Sequence, residues 1–93
     1  MAVYNTVSVA GDTWVNVNTA AGVTVGNAFN VQNISMSDVY LVESATLPTN
    51  TSAPILYNPS FDNLSKASVD AGSLALWAKC VNASSVAQLA IYD

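Results

Sequence analysis

In the stretch Ser73-Leu-Ala-Leu-Trp-Ala-Lys-Cys-Val81, every second residue from Leu74 to Cys80 is apolar, while the residues between them are of mixed character. This alternation continues for longer than in any other segment of the chain. In an extended strand, successive side chains point to opposite faces. We therefore predict a strand at 73–81 with one buried face, made of Leu74, Leu76, Ala78 and Cys80. Trp77 and Lys79 lie on the opposite face, which we expect to be half-exposed and available for a contact.

Similar extended patterns recur along the whole chain between turn signals and predict about eight short strands. The candidate segments are 3–10, 13–18, 23–27, 28–35, 37–43, 55–57, 73–81 and 86–92, with a brief pairing also expected at 66–69. Many short strands at regular spacing are typical of a sandwich or barrel. We predict an all-β fold, a small antiparallel β-sandwich of jelly-roll-like or barrel-like form, with residues 1–93 as a single domain.

The turn sequences also predict which strands are neighbours. Gly11-Asp12 separates the strands at 3–10 and 13–18, and a short polar turn at 82–85 separates those at 73–81 and 86–92. We expect each pair to form a hairpin. Ala20 and Ala21 favour a helix, but Gly22 follows too soon for one to form, and no window has the periodicity of an amphipathic helix.

Two further segments differ from the alternating strands. Residues 39–42 are nearly all apolar, which predicts a strand buried on both faces in the middle of the sandwich. Residues 44–54 contain two of the three prolines and no apolar periodicity, so we expect an irregular surface loop there. In the stretch 13–18, Val15 and Val17 form the better candidate for a core face.

Charge is scarce and mostly negative. Charged residues are 9% of the chain, against about 25% in typical soluble domains, and six acidic residues with two lysines give a net charge of −4. Nucleic acid and anionic membranes are therefore poor partners, because both are bound through Lys and Arg. A surface with so little charge is covered by Ser, Thr and Asn or by other subunits, so we expect a homo-oligomer.

The N-terminus has no basic region followed by an apolar one, and no run reaches the roughly 18–20 apolar residues of a membrane span. We expect neither a signal peptide nor a membrane anchor. The single cysteine, Cys80, is expected to be a buried free thiol. These features predict synthesis in a reducing cytoplasm.

The residue inventory argues against catalysis and against a bound metal or cofactor. The chain has no histidine and no Gly-x-Ser-x-Gly motif, so Cys80 has no base to activate it. The acidic residues are Asp12, Asp38, Glu43, Asp62, Asp70 and Asp93, and all but Glu43 lie near turns or at the terminus. We predict no catalytic residue, no cofactor and no metal ligand. Calcium at Asp62 with Asn63, or at Asp70 near Gly72, is the weaker alternative.

Aromatic residues and one lysine are the candidates for contact. They are Trp14, Tyr40, Tyr57, Trp77, Lys79 and Tyr92. Aromatic side chains dominate cores and protein interfaces, so we expect them to pack against protein. The alternative is a platform on which a glycan stacks.

Four features of the chain are considered together: Trp14, the run Val-Gln-Asn-Ile-Ser at 31–35, the proline-containing loop, and above all the ending. In this ending a Gly-led strand with Leu-Trp-Ala-Lys at 76–79 is followed by a polar turn and an alternating strand. In these features the chain resembles small structural proteins of tailed bacteriophage particles. The resemblance implies a virion component such as a capsid decoration, head-fibre or tail-associated protein, made in the host cytoplasm. Such proteins are commonly compact β-domains that act as symmetric oligomers, and a trimer is one candidate here.

Overall fold

Eight β-strands and one short α-helix form within residues 4–49, 54–56 and 65–93, which are the residues that the computed structural model describes. The elements are β1 (Val7–Ala10), β2 (Val15–Asn16), α1 (Val17–Ala21), β3 (Phe29–Asn33), β4 (Val39–Glu43), β5 (Ile55–Leu56), β6 (Lys66–Val69), β7 (Leu76–Cys80) and β8 (Val86–Tyr92). The predicted all-β fold of about eight short strands is confirmed. In the described ranges no helix has the length and apolar character that a membrane crossing requires.

The strands form two four-stranded antiparallel sheets that pack on each other. One sheet has the order β1-β8-β3-β6 and the other the order β2-β7-β4-β5. The first strand pairs with the eighth, the second with the seventh, the third with the sixth and the fourth with the fifth. This nested pairing, divided over two sheets, is the topology of an eight-stranded jelly roll. The antiparallel sandwich is confirmed, in its jelly-roll rather than its barrel form.

Both predicted hairpins are wrong. β1 and β2 lie in opposite sheets, and so do β7 and β8. A turn sequence shows where the chain reverses direction, but it does not show which sheet receives the next strand. In this fold each of these short connections carries the chain from one sheet to the other, and the strands pair with partners that are distant in sequence.

The helix α1 replaces part of the strand predicted at 13–18 and the loop after it. The Asn16 side chain caps the helix by accepting a hydrogen bond from the Thr19 N–H (3.1 Å), and Gly22 ends it in the left-handed conformation (φ 84°). The Gly22 N–H donates to the Asn18 carbonyl oxygen (2.9 Å). The expectation that Gly22 follows too soon for a helix is therefore wrong, because Gly22 is the C-terminal cap of this five-residue helix. The strand predicted at 23–27 is also wrong, because a turn occupies that region.

The remaining predicted strands are confirmed, those at 66–69 and 86–92 with the predicted bounds and the others with shorter bounds. The strand at 73–81 begins only at Leu76, so Leu74 is 51% exposed, contrary to prediction, while Ala75 is buried. The strand at 55–57 is seen as Ile55–Leu56, and Tyr57 lies outside the described residues. In the predicted irregular loop, residues 44–49 and 54 form no strand.

The core lies between the two sheets, and buried side chains alternate with less buried ones on β1, β3, β7 and β8. Its most deeply buried apolar side chains are Val7, Val9, Val17, Val31, Val39, Ala78, Cys80, Ala87, Leu89 and Ile91. Cys80 is a buried free thiol, as predicted. The expectation that 39–42 is buried on both faces is wrong, because only Val39 is fully buried and the next three residues are half-buried. The outer face of that sheet is not covered within the described chain.

Two buried asparagines tie loops to the sheets. The Asn18 Oδ1 atom accepts a hydrogen bond from the Leu76 N–H (2.8 Å), at the point where β7 begins. The Asn33 Nδ2 atom donates to the Ser37 carbonyl oxygen (2.6 Å), and Asn33 Oδ1 accepts from the Ser35 N–H (3.0 Å). Because buried polar groups are costly without partners, these bonds hold the start of β7 and the loop after β3 in place.

Candidate interaction face

The outer face of the β2-β7-β4-β5 sheet carries a continuous group of aromatic and aliphatic side chains. On β7 the buried residues alternate with Trp77 and Lys79, which therefore point away from the core. On β4, Val39 and Leu41 pack toward the core, so Tyr40 and Val42 point outward. We call this surface the aromatic face, and its members are Trp14, Asn16, Tyr40, Val42, Ile55, Trp77 and Lys79.

The strand register places these side chains in two rows across the sheet. In one row Tyr40 pairs with Lys79 on one side and with Ile55 on the other. In the next row Trp77 lies between Asn16 and Val42. Cross-strand neighbours on one face of a sheet contact each other directly. The rows therefore form one surface built by four strands.

The first row is joined by aromatic contacts. The ring centroids of Trp14 and Tyr40 are 6.5 Å apart, with the ring planes inclined at 45°. The Lys79 Nζ atom lies 5.2 Å from the centroid of the Trp14 ring. An aromatic pair contributes about 0.5–1.5 kcal/mol beyond burial, and an exposed cation–π contact about 0.5–1 kcal/mol. These contacts hold the lysine side chain across the sheet surface.

Among the residues that the structure describes, no acidic side chain on this face pairs with the Lys79 ammonium group. Its contact among the described residues is the Trp14 ring, and no ion pair joins it to a described carboxylate. The side chain is half-buried. The aromatic face is therefore apolar with one cation near its middle.

Trp77 is held by its indole N–H. The Nε1 atom donates a hydrogen bond of 3.0 Å to the carbonyl oxygen of Ser44, just beyond the end of β4. Since one edge of the ring is bonded in this way, the ring is fixed while the side chain stays half-buried. A rigid, partly exposed tryptophan is the kind of side chain that contributes most to protein interfaces.

The structure brings together four of the six side chains singled out by the sequence. Trp14, Tyr40, Trp77 and Lys79 all belong to the aromatic face. Tyr92 is half-buried on the outer side of the other sheet, where it pairs with Asn30. Tyr57 lies outside the described residues.

Sequence reasoning missed Val42 and Ile55 as members of the aromatic face. Val42 was assigned to a fully buried strand, and its place beside Trp77 depends on the pairing of β4 with β7. Ile55 pairs with Tyr40 from a strand of two residues. In a strand, Tyr40 and Val42 share one face and Val39 and Leu41 share the other. Because all four side chains are apolar or aromatic, the sequence does not indicate which of the two faces points outward.

A second apolar surface lies at one end of the sandwich. The loop between β3 and β4 meets the turn between β7 and β8 there, through a hydrogen bond from the Val81 N–H to the Asp38 carbonyl oxygen (3.0 Å). We call this surface the apolar tip. Its exposed side chains are Ile34, Met36, Val81 and Val86, of which Met36 is 86% exposed.

The described residues contain no cluster suited to metal binding. No group of three or more His, Cys, Asp or Glu side chains occurs among them. Asp70 is exposed in the turn before β7 and lines a shallow groove with Asp93. The other predicted calcium candidate, Asp62 with Asn63, lies outside the described residues.

Comparisons with protein-family models, with characterised proteins and with solved structures find no match for this chain.

Proposed function

We propose that the chain is a non-enzymatic structural protein of a tailed bacteriophage particle, made in the host cytoplasm and assembled as a homo-oligomer on the capsid or tail. The observation that carries this proposal is the aromatic face, a rigid and half-exposed set of Trp, Tyr and aliphatic side chains on a protein with very little charge. The resemblance of the sequence to phage structural proteins is the reason for proposing a component of the virion.

The composition of the aromatic face supports a protein partner. Trp and Tyr are enriched among the residues that contribute most to binding at interfaces, and charged residues are depleted at interface centres. Large contiguous apolar patches are uncommon on the surface of monomeric proteins and mark sites of association. Jelly rolls occur in viral capsid domains, although a fold does not by itself determine a function.

The apolar tip supports an assembly with more than one contact. It lies at the end of the sandwich, whereas the aromatic face lies on the broad side of one sheet. Two separate surfaces allow one chain to contact both its own copies and a larger particle. The absence of histidine and of a nucleophile motif from the sequence supports a role without catalysis.

The test is the presence of the chain in purified particles. Particles from the host that carries the coding gene are purified, and the chain is quantified by mass spectrometry. We expect a fixed ratio to the main capsid or tail protein. If the chain remains in the soluble lysate while particles mature without it, the proposal is wrong.

A pair of matched variants tests whether the aromatic face is the surface that docks on the particle. Val42→Asp places a charge on the aromatic face, and Ala90→Asp places the same charge on the outer side of β8 in the other sheet; both residues are half-buried on interior strands. With both variants shown to be folded by circular dichroism, we expect Val42→Asp to lose incorporation and Ala90→Asp to retain it. Equal incorporation would exclude the aromatic face as the docking surface.

A glycan-binding or receptor-binding module is the second candidate. The Trp14 and Tyr40 rings beside the Lys79 ammonium group favour it, since aromatic rings stack on sugars and jelly rolls occur in lectins. A glycan array with the wild-type chain and with Trp14→Ala separates the two functions. Loss of sugar binding with retained incorporation supports the module, whereas loss of incorporation supports the structural protein.

A further inference from the structure

The Lys79 ammonium group constrains what can cover the aromatic face, if that face is an interface as proposed above. Lys79 is a half-buried residue, and its ammonium group lies 5.2 Å from the centroid of the Trp14 ring and has no ion pair with a described residue. A lysine at a half-buried position keeps its charged end in contact with water. A partner that covers the face removes this water, and a buried charge without a partner is strongly unfavourable. The partner surface must therefore bring an anion or several acceptors to Lys79.

Stacking of the aromatic face on itself does not satisfy this requirement. The outward residues of β2, β7, β4 and β5 include no carboxylate, and Lys79 lies on an interior strand of the sheet. A two-fold contact between two such faces would bury two ammonium groups in one layer without a described carboxylate on either side. Like charges in a medium of low dielectric constant repel, so this arrangement is disfavoured.

The rest of the chain can supply the missing anion. The net charge is −4, and the described carboxylates all lie off the aromatic face, on loops, strand ends and the terminus. They belong to Asp12, Asp38, Glu43, Asp70 and Asp93. A different surface of a second copy can therefore present both an apolar contact and a carboxylate to Lys79.

We propose that in the homo-oligomer the aromatic face of each copy is covered by a different surface of the next copy, which presents a carboxylate to Lys79. A contact between unlike surfaces closes into a ring when its rotation allows. This predicts cyclic symmetry, such as a trimer, rather than a two-fold dimer built on the aromatic face.

The direction of the effect of Lys79→Met tests the proposal. If the partner supplies a carboxylate, methionine leaves that carboxylate buried and unpaired, and association weakens by about 30-fold or more in Kd. If it supplies none, removal of the charge leaves association unchanged or strengthens it. Lys66→Met is the matched control, because Lys66 is the other cation of the chain and is exposed on β6 of the other sheet. We expect this variant to associate like the wild type in sedimentation equilibrium of the purified chain.

Charge reversal identifies the acidic residue. Lys79→Glu should dissociate the oligomer, and Lys79→Glu combined with reversal of the correct acidic residue to lysine should restore it. Each of the six acidic residues is reversed in turn, and circular dichroism checks the fold of every variant. Restoration by one of them supports the proposal, whereas the absence of restoration by any of them contradicts a single carboxylate partner.

The Val42→Asp variant distinguishes two cases: an aromatic face that is buried in the oligomer without a carboxylate at Lys79, and an aromatic face that is not an interface at all. If Val42→Asp dissociates the oligomer while Lys79→Met strengthens it, the face is buried without an anion, and only the inference is wrong. If neither variant changes association, the aromatic face is not an interface, and both are wrong. A chain that is monomeric at all concentrations also overturns both the inference and the homo-oligomer.

Discussion

Replacement of Asn18 by alanine tests how the helix α1 positions β7 and, with it, the aromatic face. Asn18 is 2% exposed, and its Oδ1 atom accepts the Leu76 N–H at 2.8 Å. Loss of this acceptor leaves a buried backbone donor unpaired, at a cost of about 1–3 kcal/mol. Alanine recovers about 0.5 kcal/mol of helix propensity, so the expected net loss of stability is about 1.5 kcal/mol.

Urea unfolding followed by circular dichroism measures this change. For a domain of this size the urea slope is about 1–1.5 kcal/mol per molar, so the midpoint should fall by about 1–1.5 M. Hydrogen exchange should also show faster exchange of the Leu76 amide in the variant.

Asn16→Ala is the matched control for Asn18→Ala. It removes a hydrogen bond to the Thr19 N–H, which lies at an exposed position where water can replace the lost acceptor. We expect the loss of this cap to lower the free energy of unfolding by about 1 kcal/mol, and so to lower the urea midpoint less than Asn18→Ala does. If the Asn18 variant shifts the midpoint no more than the Asn16 variant, or if the Leu76 amide stays protected, the argument from a buried acceptor is refuted.

Two further substitutions test the packing. Leu89→Ala on β8 removes one of the largest fully buried side chains of the described residues and should cost about 3 kcal/mol in urea unfolding. Val86→Ala, at a 59% exposed position on the same strand, should change stability little. Similar losses for the two variants would mean that the buried face of β8 is assigned wrongly. Gly11→Ala should lower the Tm by about 8 °C or more. A Cβ atom at this position would overlap the backbone carbonyl oxygen of Asn82 and lie 2.5 Å from the Cα atom of Ala83. An unchanged Tm would show that the loops containing Gly11 and Asn82 are not in close contact.

The aromatic face shows how far the candidate site could be predicted. The alternation in β7 correctly separated Trp77 and Lys79 from the buried residues. The same reasoning failed for residues 39–42, where every side chain is apolar and the pattern does not distinguish the two faces. The pairing of Tyr40 with Lys79 and the contact of Lys79 with Trp14 depend on strand register and on a β2 strand of two residues. No local pattern contains that information.

The sequence by itself determined the all-β class, the approximate number of strands and the buried face of β7. Alternation of side chains is a local property, so Leu76, Ala78 and Cys80 could be assigned to the core without knowledge of any partner strand. The tertiary structure decided the jelly-roll pairing, the helix α1 and the convergence of the aromatic residues on one sheet. Each of these depends on contacts between residues distant in sequence, such as β1 with β8 or Asn18 with Leu76. A turn signal cannot encode them, because it specifies a change of direction and leaves open which sheet receives the strand that follows.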